Sequence, residues 1–260
     1  MSGKVTLKIM TFNMRCSTAA DGINCFENRK PRIKAMLEAE DPDIIGFQEI
    51  TPLMRTFLVE ALDAYYTVGA GRGMLYDGES SLVAFKKADF QLVASDTVML
   101  SNTPAVQGSI YEGSDQSNCP REYVKVTLKH GEIDEPFNFY NVHTDHKGSL
   151  ARILASMQML QDICSTDRQF LLTGDLNATP NATEIRLITD CTSRNISDLT
   201  EQIDGTFHNY GAYGPERRPK IDYIFASEGF APVSVKKIAD VPENGVYYSD
   251  HFAVMATVTI

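Results

Sequence analysis

Apolar and polar residues along the chain follow two rhythms, and the rhythm decides the element. From Val5 to Phe12 they alternate with the period of a half-buried strand. From Arg29 to Glu40 the apolar positions Ile33, Met36 and Leu37 recur at helical spacing, and Asp41-Pro42 stops the run. Asp43 to Glu49 reads as a short apolar strand with a polar end at Gln48 and Glu49, and Pro52 to Leu62 as a second helix. Strands are expected at Tyr65–Val68, Leu82–Phe85, Phe90–Met99, Tyr123–Leu128 and Phe137–Asn141. Gly148–Ile163 has the pattern of an amphipathic helix, and Phe170–Thr173, Ile221–Ala226 and Phe252–Val258 of further apolar strands. Gly108–Asn118 is polar and rich in Gly and Ser, which predicts a mobile surface loop. Hairpin-like strand pairs in the middle, with helices at intervals, predict a layered α/β fold in which helices cover mainly antiparallel sheets. No linker or composition shift divides residues 1–260, so one domain is expected.

Composition narrows the partners. Lys and Arg total 24 against 34 Asp and Glu, a formal charge of -10, and such a surface repels long polyanions. Bulk binding of nucleic acid is therefore disfavoured, although a local basic pocket stays open. The five cysteines have no C-x-x-C and no zinc-like spacing, and are expected to be mostly reduced and buried. No run of 18 apolar residues suggests a membrane span, and the first ten residues lack a signal-like apolar stretch, so a cytoplasmic location is expected. Oligomeric state is not legible.

The chemistry lies where apolar strands run out. Carboxylates, carboxamides and imidazoles follow a strand at Thr11-Phe12-Asn13, Gln48-Glu49, Asn141-Val142-His143-Thr144-Asp145-His146, Gly174-Asp175-Leu176-Asn177 and Ser249-Asp250-His251. Strand ends converge at one rim of a sheet, so groups remote in sequence can share a pocket. Oxygen-rich donors with few thiols suit Mg²⁺ or Mn²⁺, and Asn13, Glu49 and Asp250 fit that role. Strand alternation would put Asp175 and Asn177 on one side with Leu176 turned inward. Each group also has a plainer reading: Asn13 as a turn cap, Glu49 as a helix-start carboxylate, Asp175 and Asn177 as turn formers, His143 and His251 as hydrogen-bonded structural histidines.

Taken in order, Thr11-Phe12-Asn13-Met14-Arg15, Gln48-Glu49, Asn141-Val142-His143, Gly174-Asp175-Leu176-Asn177, Ile221-Asp222-Tyr223-Ile224 and Ser249-Asp250-His251 resemble the hallmark segments of the endonuclease/exonuclease/phosphatase superfamily, the DNase I-like hydrolases. The resemblance spans nearly the whole chain and implies a four-layer α/β/β/α sandwich with the site at one end of the paired sheets. It implies that Asn13 and Glu49 ligate metal, with Asp250 an additional ligand. Asp175 would orient or deprotonate the attacking water, and Asn177 would hold water or phosphate. His251, tuned by Asp222, would act as base or as a phosphate-contacting acid. His143 would contact the scissile phosphate, oriented by Glu79, and Arg121 would bind a phosphate oxygen. The segment Val98-Met99-Leu100-Ser101-Asn102-Thr103-Pro104 is similar to one in a largely bacterial branch, but the usual Phe-Trp is replaced by Val98-Met99 and the usual acid by Asn102.

The expected function is a divalent-metal-dependent phosphoric ester hydrolase acting by water attack at phosphorus on a small or single-ended substrate. Two alternatives stand beside it: a nonspecific nuclease, and a noncatalytic binding module that keeps the fold.

Overall fold

The computed structural model describes residues 4–260. Its frame is two six-stranded sheets stacked face to face. In the first, β1 (Thr6–Asn13) lies between β12 (Val254–Thr259), which it meets antiparallel, and β2 (Ile44–Ile50), which it meets parallel. Beyond β12 runs β11 (Ala231–Lys237), and beyond β2 run β4 (Ser80–Lys86) and β3 (Tyr65–Val68). The second sheet repeats this plan. Its parallel pair is β7 (Phe137–His143) and β8 (Phe170–Asp175), flanked by β6 (Glu122–His130) and β5 (Phe90–Met99) on one side and β10 (Asp222–Ala226) and β9 (Ser197–Asp198) on the other. A parallel pair needs a long crossover, and each is bridged by a helix: α1 (Phe26–Glu40) joins β1 to β2, and α3 (Ser149–Cys164) joins β7 to β8.

Period-two alternation sorts each strand into two hydrophobic layers. Leu7 and Ile9 of β1 face the opposite sheet and pack with Val126, Phe139, Leu171 and Ile224, whereas Met10 and Phe12 turn outward onto α1 and α2 (Pro52–Ala61). On the far side, Tyr140, Leu172 and Phe225 pack on Ala155, Met159 and Ile163 of α3 and on Ile185 and Ile188 of α4 (Thr183–Thr189). Helix, sheet, sheet, helix is the four-layer α/β/β/α sandwich that the resemblance implies.

Toward the carboxyl ends of β1, β2, β7 and β8, the space between the sheets changes from apolar to polar. Asn141 of β7 crosses it: its Nδ2 donates to the carbonyls of Phe47 at 2.7 Å and Leu82 at 3.1 Å, both in the other sheet. Its Oδ1 accepts from Gln48 Nε2 at 2.6 Å and Thr173 Oγ1 at 3.2 Å. Such a crossing needs room, and Gly46 provides it: a Cβ there would lie 2.1 Å from Thr173 Oγ1 and 2.5 Å from Asn141 Oδ1. A second polar tie holds the loops above this layer. Arg29 of α1 is fully buried without a carboxylate, and its guanidinium donates to the carbonyls of Asn24, Met14, Arg15 and Tyr248. It thereby joins the segment after β1 to the segment carrying Ser249, Asp250 and His251.

Three expectations need correction. Helix α4 and strands β9 and β11 were not anticipated from the pattern. β11 is an edge strand with mostly exposed residues, so no buried face imposes an alternation, and α4 and β9 are too short to show a period. The five cysteines are free, as expected, but none is buried: Cys164 is exposed and the others are intermediate. Residues 108–118 form an anchored wall in place of a free loop. Tyr111 and Ser117 are buried, Tyr111 Oη donates to Gln158 Oε1 at 2.6 Å, and Ser117 binds the Asp145 carboxylate. Among the described residues no helix is long and apolar enough to cross a membrane.

Replacing Gly46 by Ala should cost about 1–3 kcal/mol in urea denaturation, the usual penalty of overpacking, because both colliding atoms are fixed by hydrogen bonds. Gly131→Ala, where a Cβ would meet nothing within 4 Å, should change stability by less than about 0.5 kcal/mol.

Candidate active site

Directly above the polar seam, the same faces of β1, β7, β8 and β10 deliver Asn13, His143, Asp175 and Asp222, all buried. The antiparallel register places Asp222 opposite Asp175. Three donors converge on one oxygen, Asp175 Oδ2: Asn13 Nδ2 donates to it at 2.9 Å, while His143 Nε2 lies at 3.6 Å and His251 Nε2 at 3.8 Å. The other oxygen, Oδ1, accepts the Asn177 backbone N–H at 2.9 Å. Strand β8 ends at Asp175, and Asn177 takes a left-handed φ of 47°. A turn, not strand alternation, brings Asn177 to the same cleft as Asp175. Its Nδ2 donates to the Thr144 carbonyl at 3.2 Å.

His251 is set by two neighbours. Its Nδ1 lies 2.9 Å from Asp222 Oδ2, and its ring packs against Phe207 with centroids 4.8 Å apart. Burial pushes the imidazole toward the neutral form, but Asp222 and then Asp175 outweigh it and hold the proton on well above the usual histidine range. For Asp175, burial and the facing Asp222 raise the carboxyl, with His251 opposing. His143 moves the other way: burial, followed by Arg121 and Arg72, keeps it neutral. Two histidines in one cleft are thus pushed in opposite directions.

Glu49 and Asp250 stand on the other side. Glu49 ends the regular part of β2 with a left-handed φ of 63°, a strained position for a non-glycine residue. Its Oε1 accepts from Asn13 Nδ2 at 3.1 Å and its Oε2 from the Cys16 N–H at 2.8 Å. Burial opposes its charge, but those donors and His251 keep its carboxyl below the usual range. Asp250 is raised by burial and further by Glu49, with His251 and Arg15 opposing. Arg15 Nε lies 3.7 Å from Asp250 and binds Asp21 at 3.0 Å, and Ser249 Oγ donates to the Asn13 carbonyl at 2.7 Å.

The cleft bounded by these groups has a volume of about 610 Å³ and is also lined by Arg72, Glu79, Arg121 and His146. Of the residues singled out in the sequence, Glu49, Glu79, Arg121, His143, Asp175, Asn177, Asp250 and His251 line it, and Asn13 and Asp222 lie beneath. Besides Asn177, two differ in detail from expectation. Glu79 does not orient His143: it pairs with Arg72 Nη2 at 2.8 Å, and among the described residues His143 Nδ1 has no hydrogen-bond partner. A guanidinium that reaches the same rim attracts the carboxylate more strongly than a neutral imidazole does. Asn13 turns its amide nitrogen to Glu49 and Asp175, while its Oδ1 accepts the Arg15 N–H at 2.9 Å. It stands as a spacer between two carboxylates. Arg15, Arg72, His146 and Phe207 were missed; Arg15 and His146 lie within segments already singled out, whereas Arg72 and Phe207 reach the cleft only through the tertiary fold.

Which carboxylates would hold a cation is decided by what each already does. Among the described residues, Asp175, Asp222 and His251 each offer a ligand atom within 4.8 Å of the others. The hydrogen bond between His251 and Asp222, and the Asn13 and Asn177 donors on Asp175, already occupy the oxygens of that cluster. Glu49 and Asp250 repel one another, and His251 and Arg15 offset that repulsion.

Residues 10–251 match the Endonuclease/Exonuclease/phosphatase family. The fold superposes on an endonuclease/exonuclease/phosphatase from Bacteroides vulgatus with a TM-score of 0.91 at 27% identity, covering 98% of this chain and 99% of that one. It also superposes on a mannosyl-6-phosphatase of Bacteroides thetaiotaomicron with a TM-score of 0.86 at 25% identity, covering 98% and 100%. An uncharacterized protein of Acanthamoeba polyphaga mimivirus is 26% identical over 188 residues, 70% of this chain and 68% of its own.

The cleft wall should show a distinct acid sensitivity. Asp145 is buried, which opposes its charge, yet N–H groups of Gly148 and Lys147 and the Ser117 side chain hold its carboxyl down at about 2. A folded pKa below the unfolded one stabilises above the unfolded value, and that stability disappears as pH falls from about 4 through 2. Urea denaturation at stepped pH should show wild type losing about 2 kcal/mol more than Asp145→Asn across that window.

Proposed function

The chain belongs to the Endonuclease/Exonuclease/phosphatase family of hydrolases, and on that premise we propose that it cleaves a phosphate ester by divalent-metal-dependent attack of water at phosphorus. The observation that carries this reading is the convergence of Asn13, His143 and His251 on one oxygen of Asp175, with Glu49 and Asp250 facing the same cleft.

Each group then has a task. Asp175, raised by burial, is the base that orients and deprotonates the attacking water, and Asn13 and Asn177 aim its two oxygens. His251 keeps its proton through Asp222 and therefore serves as a donor to a phosphoryl oxygen, not as the base. His143, neutral, offers a further N–H to that oxygen, and Arg121 supplies positive charge where the equatorial oxygens gather it in the transition state. Asn177 closes the edge next to the bound phosphate.

The donor set fits a hard cation: the two carboxylates of Glu49 and Asp250 face each other in a buried setting, and an added positive charge would relieve their repulsion. Glu49 and Asp250 would hold Mg²⁺ or Mn²⁺, with the Asn13 oxygen available only if its contact to Arg15 relaxes. When bound, the cation polarises the phosphate and the leaving oxygen. For substrate class, the bounded cleft and the charge of -10 favour a small or single-ended ester over a polymer, and the likeness to a mannosyl-6-phosphatase supports a phosphorylated sugar.

A panel of sugar phosphates, nucleotides, aryl diesters and plasmid DNA, assayed with Mg²⁺ and with Mn²⁺, should release product from small esters and leave plasmid intact. Excess chelator should abolish turnover, and cleavage at full rate after chelation would refute the reading. Asp175→Asn and His251→Ala should each lower kcat by roughly 10²–10⁴-fold at a temperature where circular dichroism shows both variants folded. Plasmid cleavage with steep salt inhibition would favour the nuclease alternative, and a titration showing no metal bound would favour the noncatalytic one.

A further inference from the structure

Arg121 lies in the cleft wall at 4% exposure, and among the described residues its Nε and Nη1 have no hydrogen-bond partner. A buried guanidinium with open donors needs something to hold it still. Asp145 does so weakly, with Oδ2 3.8 Å from Nε, because its oxygens already accept from Ser117, Lys147 and Gly148. The close contact is from Nη2 to His146 Nδ1, at 3.0 Å.

That contact fixes more than a distance. A guanidinium is a donor only and stays protonated, so His146 Nδ1 must accept, and the imidazole is neutral with its hydrogen on Nε2. The ring sits at the exposed rim of the cleft. Its backbone is held on both sides: Asp145 accepts the N–H groups of Lys147 and Gly148, and Arg152 Nη1 donates to the Asp145 carbonyl at 3.1 Å. Arg121 and His146 therefore form a corner that presents N–H donors and no acceptor. Such a corner takes oxygens that only accept, as a phosphoryl group offers, and repels an ammonium group, which can only donate.

We infer that His146 is a substrate-positioning residue: it holds Arg121 through Nδ1 and presents Nε2–H as a second donor to the bound phosphoryl group. The inference rests on the phosphate-ester reading above and adds a residue and a division of labour to it. It predicts that His146 governs binding of the phosphoryl group more than the chemical step.

The test measures inorganic phosphate on the Mg²⁺-loaded protein, by calorimetry and as an inhibitor of ester hydrolysis, in wild type, His146→Ala, His146→Gln, Arg121→Ala and the Arg121→Ala/His146→Ala double variant. His146→Ala should weaken phosphate binding and raise KM by roughly tenfold, the worth of one charge-assisted hydrogen bond, with kcat changed far less. His146→Gln should restore most of it, since its carbonyl can accept from Arg121 while its amide donates. On the Arg121→Ala background, removing His146 should add little, because the pair acts as a unit. Nitrogen-15 NMR of the imidazole should show the hydrogen on Nε2. Cleavage and phosphate binding in His146→Ala equal to wild type, full additivity with Arg121→Ala, or no restoration by Gln would each overturn the inference alone. A wild-type protein that neither binds phosphate nor cleaves any ester would overturn the hydrolase reading and this inference together.

Discussion

A single carboxamide crossing between two sheets is the constraint from which the site follows. Asn141 donates to carbonyls of β2 and β4 while it accepts from Gln48 and Thr173. A slip of one residue would break these bonds together and turn every side chain to the opposite face. With the sheets locked at this level, the next inward positions are Asn13, His143 and Asp175, on three strands from two sheets. Their convergence needs no loop to fold in a special way. Gly46 is the condition for the crossing, since any side chain there would occupy the space of the carboxamide.

Below this layer the interface between the sheets is aliphatic and aromatic, and above it nearly every buried side chain is polar. That abrupt change explains the divergent titration in the cleft. Groups in a common low-dielectric space are governed by burial first and by their nearest charge second. His251 has Asp222 at its ring nitrogen and keeps a proton, whereas His143 has no carboxylate at Nδ1 and sees two arginines. Equivalent residue types in one pocket are thus shifted in opposite directions by which charge each meets.

The loops that complete the cleft are held by arginines bound to backbone carbonyls and by one carboxylate bound to backbone N–H groups. Arg29 ties both chain ends of the site together beneath it, and Asp145 fastens the 108–118 segment and the start of α3 beside it. Neither contacts the reacting position. Both restrict where Arg15, His146 and Asp250 can go, and donors and charges fixed in advance in a largely buried setting are what make electrostatic stabilisation effective.

The sequence by itself determined the layer architecture and most of the strands, because a face buried against another layer enforces a period that can be read directly, as in β1 and α3. It also placed carboxylates, carboxamides and imidazoles where apolar strands end, which lets groups remote in sequence meet at a rim; that these meet at the same one depends on strand direction, which only the fold supplies. What only the tertiary structure decided was the pairing of charges across that rim: that Glu79 meets Arg72 and not His143, that Asn13 turns its nitrogen and not its oxygen toward the carboxylates, and that His146 holds Arg121. Such pairings depend on distances of a few ångströms between residues from seven to 162 positions apart, and no local period encodes them. The edge strand β11 escaped for the complementary reason, since it buries too little for its pattern to be constrained.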